Sequence, residues 1–206
     1  MLSSKIKVPL AICLAGIILA GCQKVVPIEL KELTPPQRKA RGTLLIGDLA
    51  RSVRTEPPDL IGYHTFSIFG IRTVPIKAEM PPGMQDAMIS HIKKALRTAG
   101  YNIKIVPPGD KVNYPVLRGE IRQFWYSSYW WFWPVTFVGG SIKMDLILEG
   151  PDGEELWREG FMEKKLRALP SYAKVDFLVK DSVTELCNRI IKAITTERFV
   201  QAFDKY

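Results

Sequence analysis

The sequence predicts an α+β domain built in two layers: a mostly antiparallel or mixed sheet covered on one face by two helices. Two patterns predict it. Two long segments place apolar residues three and four positions apart, as a helix with one buried face requires. Several shorter segments alternate apolar and polar residues, as strands with one buried face do. With 206 residues, the chain is long enough to bury a substantial core.

The two predicted helices lie on either side of the main group of strands. The first is expected to begin after Pro82 and to end at Ala99, because Gly100 suits the left-handed position after a helix. The second is expected from about Tyr172 to Phe199 or beyond. Its apolar stripe, which should pack on the sheet, is formed by Val175, Val179, Val183, Leu186, Ile190 and Ile194.

Alternation and turn residues predict the strands. The expected strands cover residues 43–47, 63–72, 102–106, 114–126, 141–149 and 155–163. The clearest is 141–149, where alternate residues such as Ile142 and Met144 are apolar and those between them are mostly polar. Gly150-Pro151-Asp152-Gly153 is a tight-turn sequence, so the last two strands are predicted to form a hairpin.

Residues 1–42 are predicted to lie outside this domain. Lys5 and Lys7 precede an apolar stretch, residues 8–19, that is too short to span a bilayer comfortably. Leu19-Ala20-Gly21-Cys22 closes that stretch and resembles the lipobox of bacterial lipoproteins, where the signal peptide is cut between Gly21 and Cys22. The chain therefore divides into a signal peptide over 1–21, a proline-containing tether over 22–42 and an α+β domain over 43–206.

The lipobox also predicts a location. Because it follows the lipobox, Cys22 is expected to carry covalent lipid, palmitate included. Several acyl chains hold a protein on a membrane durably. Gln23 fits the sorting pattern of the outer membrane, so we expect the protein at its periplasmic face, with the inner membrane as the weaker alternative. Cys13 leaves with the signal, so Cys187 stays alone and no disulfide can form within the chain.

The composition of the chain limits the classes of binding partner that we expect. The formal net charge is +8, and it becomes +6 once residues 1–21, with two lysines and no acids, are removed. This modest excess favours anionic lipid headgroups, or is simply that of a mildly basic surface. Nucleic acid is not expected as a partner of an exported protein. No small-molecule substrate and no cofactor apart from the lipid on Cys22 is indicated.

An aromatic run over residues 124–134 is the second unusual feature, because four of the five tryptophans lie in it. It is predicted to be the end of a strand followed by a hairpin loop. The candidate contact residues are Trp125, Tyr129, Trp130, Trp131, Phe132 and Trp133. Rings this large are costly to leave in water, so they should fold back on the domain, enter a membrane interface or bind another protein. A protein partner is slightly favoured, because residues 123–136 carry no charge.

Catalysis is not expected. The chain has only two histidines, His64 in a predicted loop and His91 on the polar side of the first helix. No set of His, Cys, Asp and Glu residues has the spacing of metal ligands, and no nucleophile elbow or phosphate-binding glycine loop is present. Asp48, Arg51 and Arg54 follow the first strand and are interpreted as a salt-bridged loop.

The chain resembles small bacterial lipoproteins of the YajG type. The resemblance is carried by the lipobox at Cys22, the tether, the helix end and strand at 95–103, and the hairpin strands before a long C-terminal helix. It implies a non-enzymatic envelope protein. Similar folds occur in auxiliary lipoproteins of lipid transporters, so a component of a lipid or lipopolysaccharide transport machine is the alternative function.

Overall fold

The structure is a computed structural model that describes residues 24–51, 59–66, 71–107, 110, 112–132, 135–170 and 175–205. Residues 48–51, 66, 71–73, 130–132 and 170 are described by their backbone alone. The strands are β1 (Lys24–Val26), β2 (Thr43–Arg51), β3 (Leu60–Phe66), β4 (Ile71–Ala78), β5 (Asn102–Ile105), β6 (Val116–Phe132), β7 (Val135–Glu149) and β8 (Glu155–Pro170). The helices are α1 (Gly83–Ala99), α2 (Val175–Ile194) and α3 (Glu197–Phe203).

The predicted α+β class is confirmed: the eight strands form one curled mixed sheet, and the helices pack against it. Strand β6 organises the sheet. One edge of β6 pairs antiparallel with β7 along almost its whole length. Its other edge is shared by two parallel strands, β2 at residues 116–121 and β3 at residues 126–130. Because β8 continues the pairing beyond β7, the three longest strands form a ribbon to which the remaining strands attach.

Helix α1 begins and ends where the sequence predicts. Gly100 has φ +111° and its N–H donates to the carbonyl oxygen of Arg97, 3.0 Å away, while the N–H of Tyr101 donates to Leu96. This is the left-handed ending that favours glycine. A Cβ at Gly100 would also lie 2.4 Å from the carbonyl oxygen of Ala40, so only glycine fits without movement.

The single long C-terminal helix is corrected to two helices. The predicted apolar stripe is buried in α2, but that helix ends at Ile194. The hydroxyls of Thr195 and Thr196 donate back to helix carbonyls, and Thr196 then accepts the N–H of Phe199 as the cap of α3. The break lets Phe199 enter the core, where its ring meets Trp157 edge-on at 4.8 Å between centroids.

Two strand predictions are also corrected. Residues 63–72 do not form one strand: 63–66 belong to β3 and 71–72 to β4, which pair antiparallel, and 67–70 lie outside the described residues. The aromatic run is not mainly a loop either, because β6 extends to Phe132 and β7 begins at Val135. The aromatic residues favour extended backbone, and the register with β7 on one side and β3 on the other supplies partners for it.

The predicted tether is wrong from Lys24 onward, because residues 24–42 lie against the domain; we call this segment the N-terminal strap. It starts as β1, which pairs parallel with β4. Its apolar residues Val26, Ile28 and Leu33 are buried. Burial of these apolar side chains stabilises the contact with the domain. The prolines favour an extended backbone, which is compatible with a segment that lies flat on a surface.

Both long helices hold the strap. On the α1 side, His91 Nε2 lies 2.7 Å from the carbonyl oxygen of Ile28. On the α2 side, the N–H of Lys31 donates to Thr184 at 3.0 Å, and the Lys31 ammonium pairs with Asp181. The strap ends near α1, where the N–H of Ala40 donates to Ala99 at 2.8 Å.

Candidate functional site

The face of the ribbon opposite the helices is open to solvent. Along β6 and β7, residues such as Tyr126, Ser128 and Val138 point to the helices and are buried. Their neighbours point the other way. The register places Tyr129 opposite Phe137, which in turn lies opposite Ala168. The register of the three strands therefore determines which side chains are neighbours on the open face.

Charged pairs occupy one half of this open face. Arg118 pairs with Glu149 at 2.6 Å, and Arg122 pairs with Asp145 at 2.6 Å. Arg158 contributes a further pair with Glu155 at 2.7 Å. These residues lie near the start of β6 and the β7–β8 turn. Oppositely charged groups thus neutralise one another there.

The other half, where β6 ends and β7 begins, is apolar. We call Tyr129, Val135, Phe137 and Leu166 the tip patch. Their relative exposures are 49%, 39%, 39% and 71%. Leu166 lies across Gly139, since a Cβ at that glycine would be 3.1 Å from the Leu166 Cδ1 atom. A contiguous apolar patch at the end of a sheet is a feature of binding surfaces.

One predicted contact residue, Trp125, packs against the neighbouring strand β3. Trp125 is half-buried and packs against Tyr63 of β3, with ring centroids 5.7 Å apart and planes inclined by 59°. On the opposite face, the ring of Tyr126 would overlap a Cβ at Gly140, because the nearest distance would be 2.1 Å. The glycine leaves room for this buried ring beneath the hairpin.

The predicted site residues are only partly located. Tyr129 is exposed on the open face, whereas Trp125 is held by Tyr63. The backbones of Trp130, Trp131 and Phe132 belong to β6, and their side chains lie outside the described residues, as do Trp133, Gly21 and Cys22. The contact and lipidation assignments at those positions stay predictions. Asp48 and Arg51 lie within β2 rather than in a loop, and Arg54 lies outside the described residues.

Sequence reasoning missed the contribution of β8. The strand was predicted to stop at residue 163 but continues to Pro170. It brings Leu166 into the tip patch and places Lys164 beside it on the open face, while Lys165 and Arg167 point to the helices, where both pair with Asp181. Extending the β7–β8 register beyond the turn could have found these residues, because antiparallel pairing assigns each one a partner.

Both histidines are partly buried and hydrogen-bonded within the domain. His64 lies on β3, not in a loop, and its Nδ1 is hydrogen-bonded with Ser128 Oγ. Burial, and secondarily Lys24, lower the pKa of His64. Burial also lowers the pKa of His91; its hydrogen bond with Ile28 acts in the opposite direction and Lys94 adds to the lowering.

These shifts predict a loss of stability on acidification. Both histidines have lower pKa values in the folded state, so the unfolded chain binds protons more readily once the pH falls below about 6.5. Their contribution is complete above that pH and declines as the pH falls through the folded values. Urea unfolding at neutral pH and near pH 5 should show this decline, and a His64→Gln/His91→Gln variant should show less of it. An equal pH dependence in both proteins would contradict the prediction.

Reactive groups are scarce among the described residues. Burial raises the pKa of the Cys187 thiol to about 12, so that cysteine stays a thiol at neutral pH. In the described part of the chain, no three His, Cys, Asp or Glu residues are grouped as metal ligands would be. The helices of that part are all too short or too polar to cross a membrane.

The fold and open face define a two-layer α+β protein with an apolar strand end. No protein-family model and no curated protein matches the sequence. Among solved structures, protein XCC0632 from Xanthomonas campestris, of the DUF330 family, is similar with a TM-score of 0.54 and 11% identity. The match covers 88% of this chain and 98% of that one. At that identity, the likeness shows the fold alone.

Two further structures match less well. A putative neuraminyllactose-binding hemagglutinin homolog from Helicobacter pylori has a TM-score of 0.44 and 8% identity, covering 85% of this chain and 96% of that one. Lipoprotein GNA1162 from Neisseria meningitidis has a TM-score of 0.35 and 12% identity, covering 72% and 99%. Scores this low carry no argument about function.

Proposed function

We propose that this protein is a lipid-anchored, non-enzymatic lipoprotein of the bacterial envelope that binds a protein or membrane partner through the tip patch. The observation that carries the proposal is the exposure of Tyr129, Phe137 and Leu166 side by side on the open face. Burying such side chains in a partner is favourable by roughly 25 cal/mol for each Å² of apolar surface removed from water.

The proposed anchor is Cys22, at the periplasmic face of the outer membrane. Only Gln23 separates it from Lys24, the first residue of β1. Two residues span at most about 7 Å, so an anchored domain has little freedom to move away from the bilayer. A domain on a long tether could move further from the bilayer. The short connection instead keeps the tip patch near the lipids and proteins of the membrane.

The YajG-type resemblance and the surroundings of the histidines support a binding role rather than an enzymatic one. His64 is engaged with Ser128, and His91 with the strap at Ile28. Ser128 is 1% exposed, so its hydroxyl is out of reach of a substrate. The hydrogen bonds instead join β3 to β6 and α1 to the strap, which is a structural use of these groups.

Photocrosslinking at two tyrosines tests the proposal. A benzophenone amino acid replaces Tyr129 in the tip patch or, as a matched control, Tyr114, which is 63% exposed before the start of β6. After irradiation of cells, adducts with a protein or a lipid are expected from position 129 and not from position 114. Equal adducts from both positions, or none from either, would show that the tip patch is not a binding surface.

A further inference from the structure

We infer that the tip patch contacts the interface of the same bilayer that holds the lipid of Cys22, so that its partner is the membrane surface. This inference rests on the proposed lipid anchor and deepens the proposed function by choosing lipid over protein. It is carried by three observations: the direction of the N-terminus, the reach of the β6 end and the charges beside it.

The sheet register fixes where the anchored end points. Lys24 pairs with Ile76, Ile76 with Gly62, and Gly62 with Tyr126. Lys24 therefore lies at the level of Tyr126, three strands away in the sheet. Strand β1 is parallel to β4, β4 is antiparallel to β3, and β3 is parallel to β6. An extended chain upstream of Lys24 consequently leads toward the end of β6, where the tip patch lies.

The reach of β6 decides which part arrives at the membrane first. Strand β6 continues from Tyr126 to Phe132, which is roughly 20 Å at the usual rise of a strand. The two residues from Lys24 back to Cys22 span at most about 7 Å, whatever course they take. The end of β6 therefore extends at least about 13 Å beyond the anchor along the strand direction. Since the headgroup region is only about 5–7 Å thick, the strand end, where Val135 pairs with Phe132, enters it. Tyr129 and Phe137 lie about 10 Å beyond the level of Tyr126 and Leu166 about 3 Å beyond it, which places them near the level of the anchor at the interface.

The neighbouring charges suit this position. Residues 123–142, which contain most of β6's second half and the start of β7, carry no charge. On β8, Lys164 is exposed on the open face opposite Ser141. Arg167 lies opposite Val138 on the face of the helices, where its guanidinium group is 3.9 Å from Asp181. Long basic side chains beside an apolar and aromatic edge can reach anionic phosphates while the rings remain in the interface. A cation near such a surface strengthens binding about fivefold.

Depth-dependent quenching in vesicles tests the inference. The palmitate-labelled mature protein is reconstituted in vesicles of phosphatidylethanolamine and phosphatidylglycerol that contain brominated lipid. Tyr129→Cys or Leu166→Cys carries a fluorophore, and Tyr114→Cys serves as the control. The unmodified protein checks that Cys187, which is fully buried, takes no label. The two patch positions should be quenched several-fold more strongly than position 114.

Each other outcome is informative. Equal quenching at patch and control positions would overturn the inference, even when palmitate labelling shows that the anchor is present. A protein adduct at position 129 in cells, without lipid quenching, would overturn it while leaving the proposed partner binding in place. An absence of palmitate on the mature protein would overturn the proposed anchor and the inference with it. Two patch positions keep the test valid if one variant does not fold.

Discussion

Gly62→Ala is expected to destabilise the protein by about 4 kcal/mol or more, a large part of the roughly 5–15 kcal/mol that stabilises an ordinary domain. A Cβ at Gly62 would lie 1.6 Å from the carbonyl oxygen of Tyr126 and 2.6 Å from its carbonyl carbon. These are backbone atoms of β6, which β7 holds on its other edge. The strand cannot withdraw, so β3 must separate from β6 and carry β4 and β1 away with it.

Urea unfolding followed by circular dichroism measures the effect, with Gly160→Ala as the matched control. Gly160 lies in β8, and its nearest neighbour would be the Asp145 Oδ1 atom at 3.4 Å, an ordinary contact. The control should change the free energy of unfolding by less than about 1 kcal/mol. If both variants unfold at similar urea concentrations, the close approach of β3 and β6 at Gly62 is wrong.

Cys22→Ala is expected to abolish palmitate labelling completely. Lipid attaches through the sulfur of Cys22 in the proposed anchor, and alanine offers no nucleophile there. Radioactive palmitate followed by fractionation of membranes measures the loss. Loss of the acyl chains removes about 0.8 kcal/mol of membrane binding for each buried CH₂ group.

Cys187→Ala is the matched control for that experiment. It also removes one thiol, but this thiol is fully buried in α2 and its pKa is raised to about 12 by burial. Labelling should therefore be retained. Persistent labelling of Cys22→Ala, or its loss from Cys187→Ala, would contradict the assignment of the anchor to Cys22.

The elements predicted best are those specified by their own residues. Helix α1 begins near Pro82 and ends at Gly100 because proline, glycine and the apolar spacing act within a few residues. The stripe of α2 and the β7–β8 turn follow from equally local patterns. The break at Thr196 was missed, because it depends on Phe199 finding a place beside Trp157 and Tyr101.

The candidate site shows the same division. The sequence alone identified the aromatic run, including Tyr129, and its unusual lack of charge. It could not show that Lys164 and Leu166 lie beside the run, because β8 brings them there across β7. The absence of basic residues within the run had favoured a protein partner; the position of Lys164 beside it supports the proposed membrane contact.

By itself, the sequence determined the α+β class and both ends of α1, and it predicts an anchor at Cys22. Only the tertiary structure decided that residues 24–42 form a strap rather than a tether, and that the Lys24 end of β1 faces the same way as the end of β6, where the tip patch lies. The physical reason is the distance along the chain over which each interaction acts. Caps, turns and periodicity act between near neighbours, whereas the strap, the register and the open face arise from contacts between residues far apart in the chain.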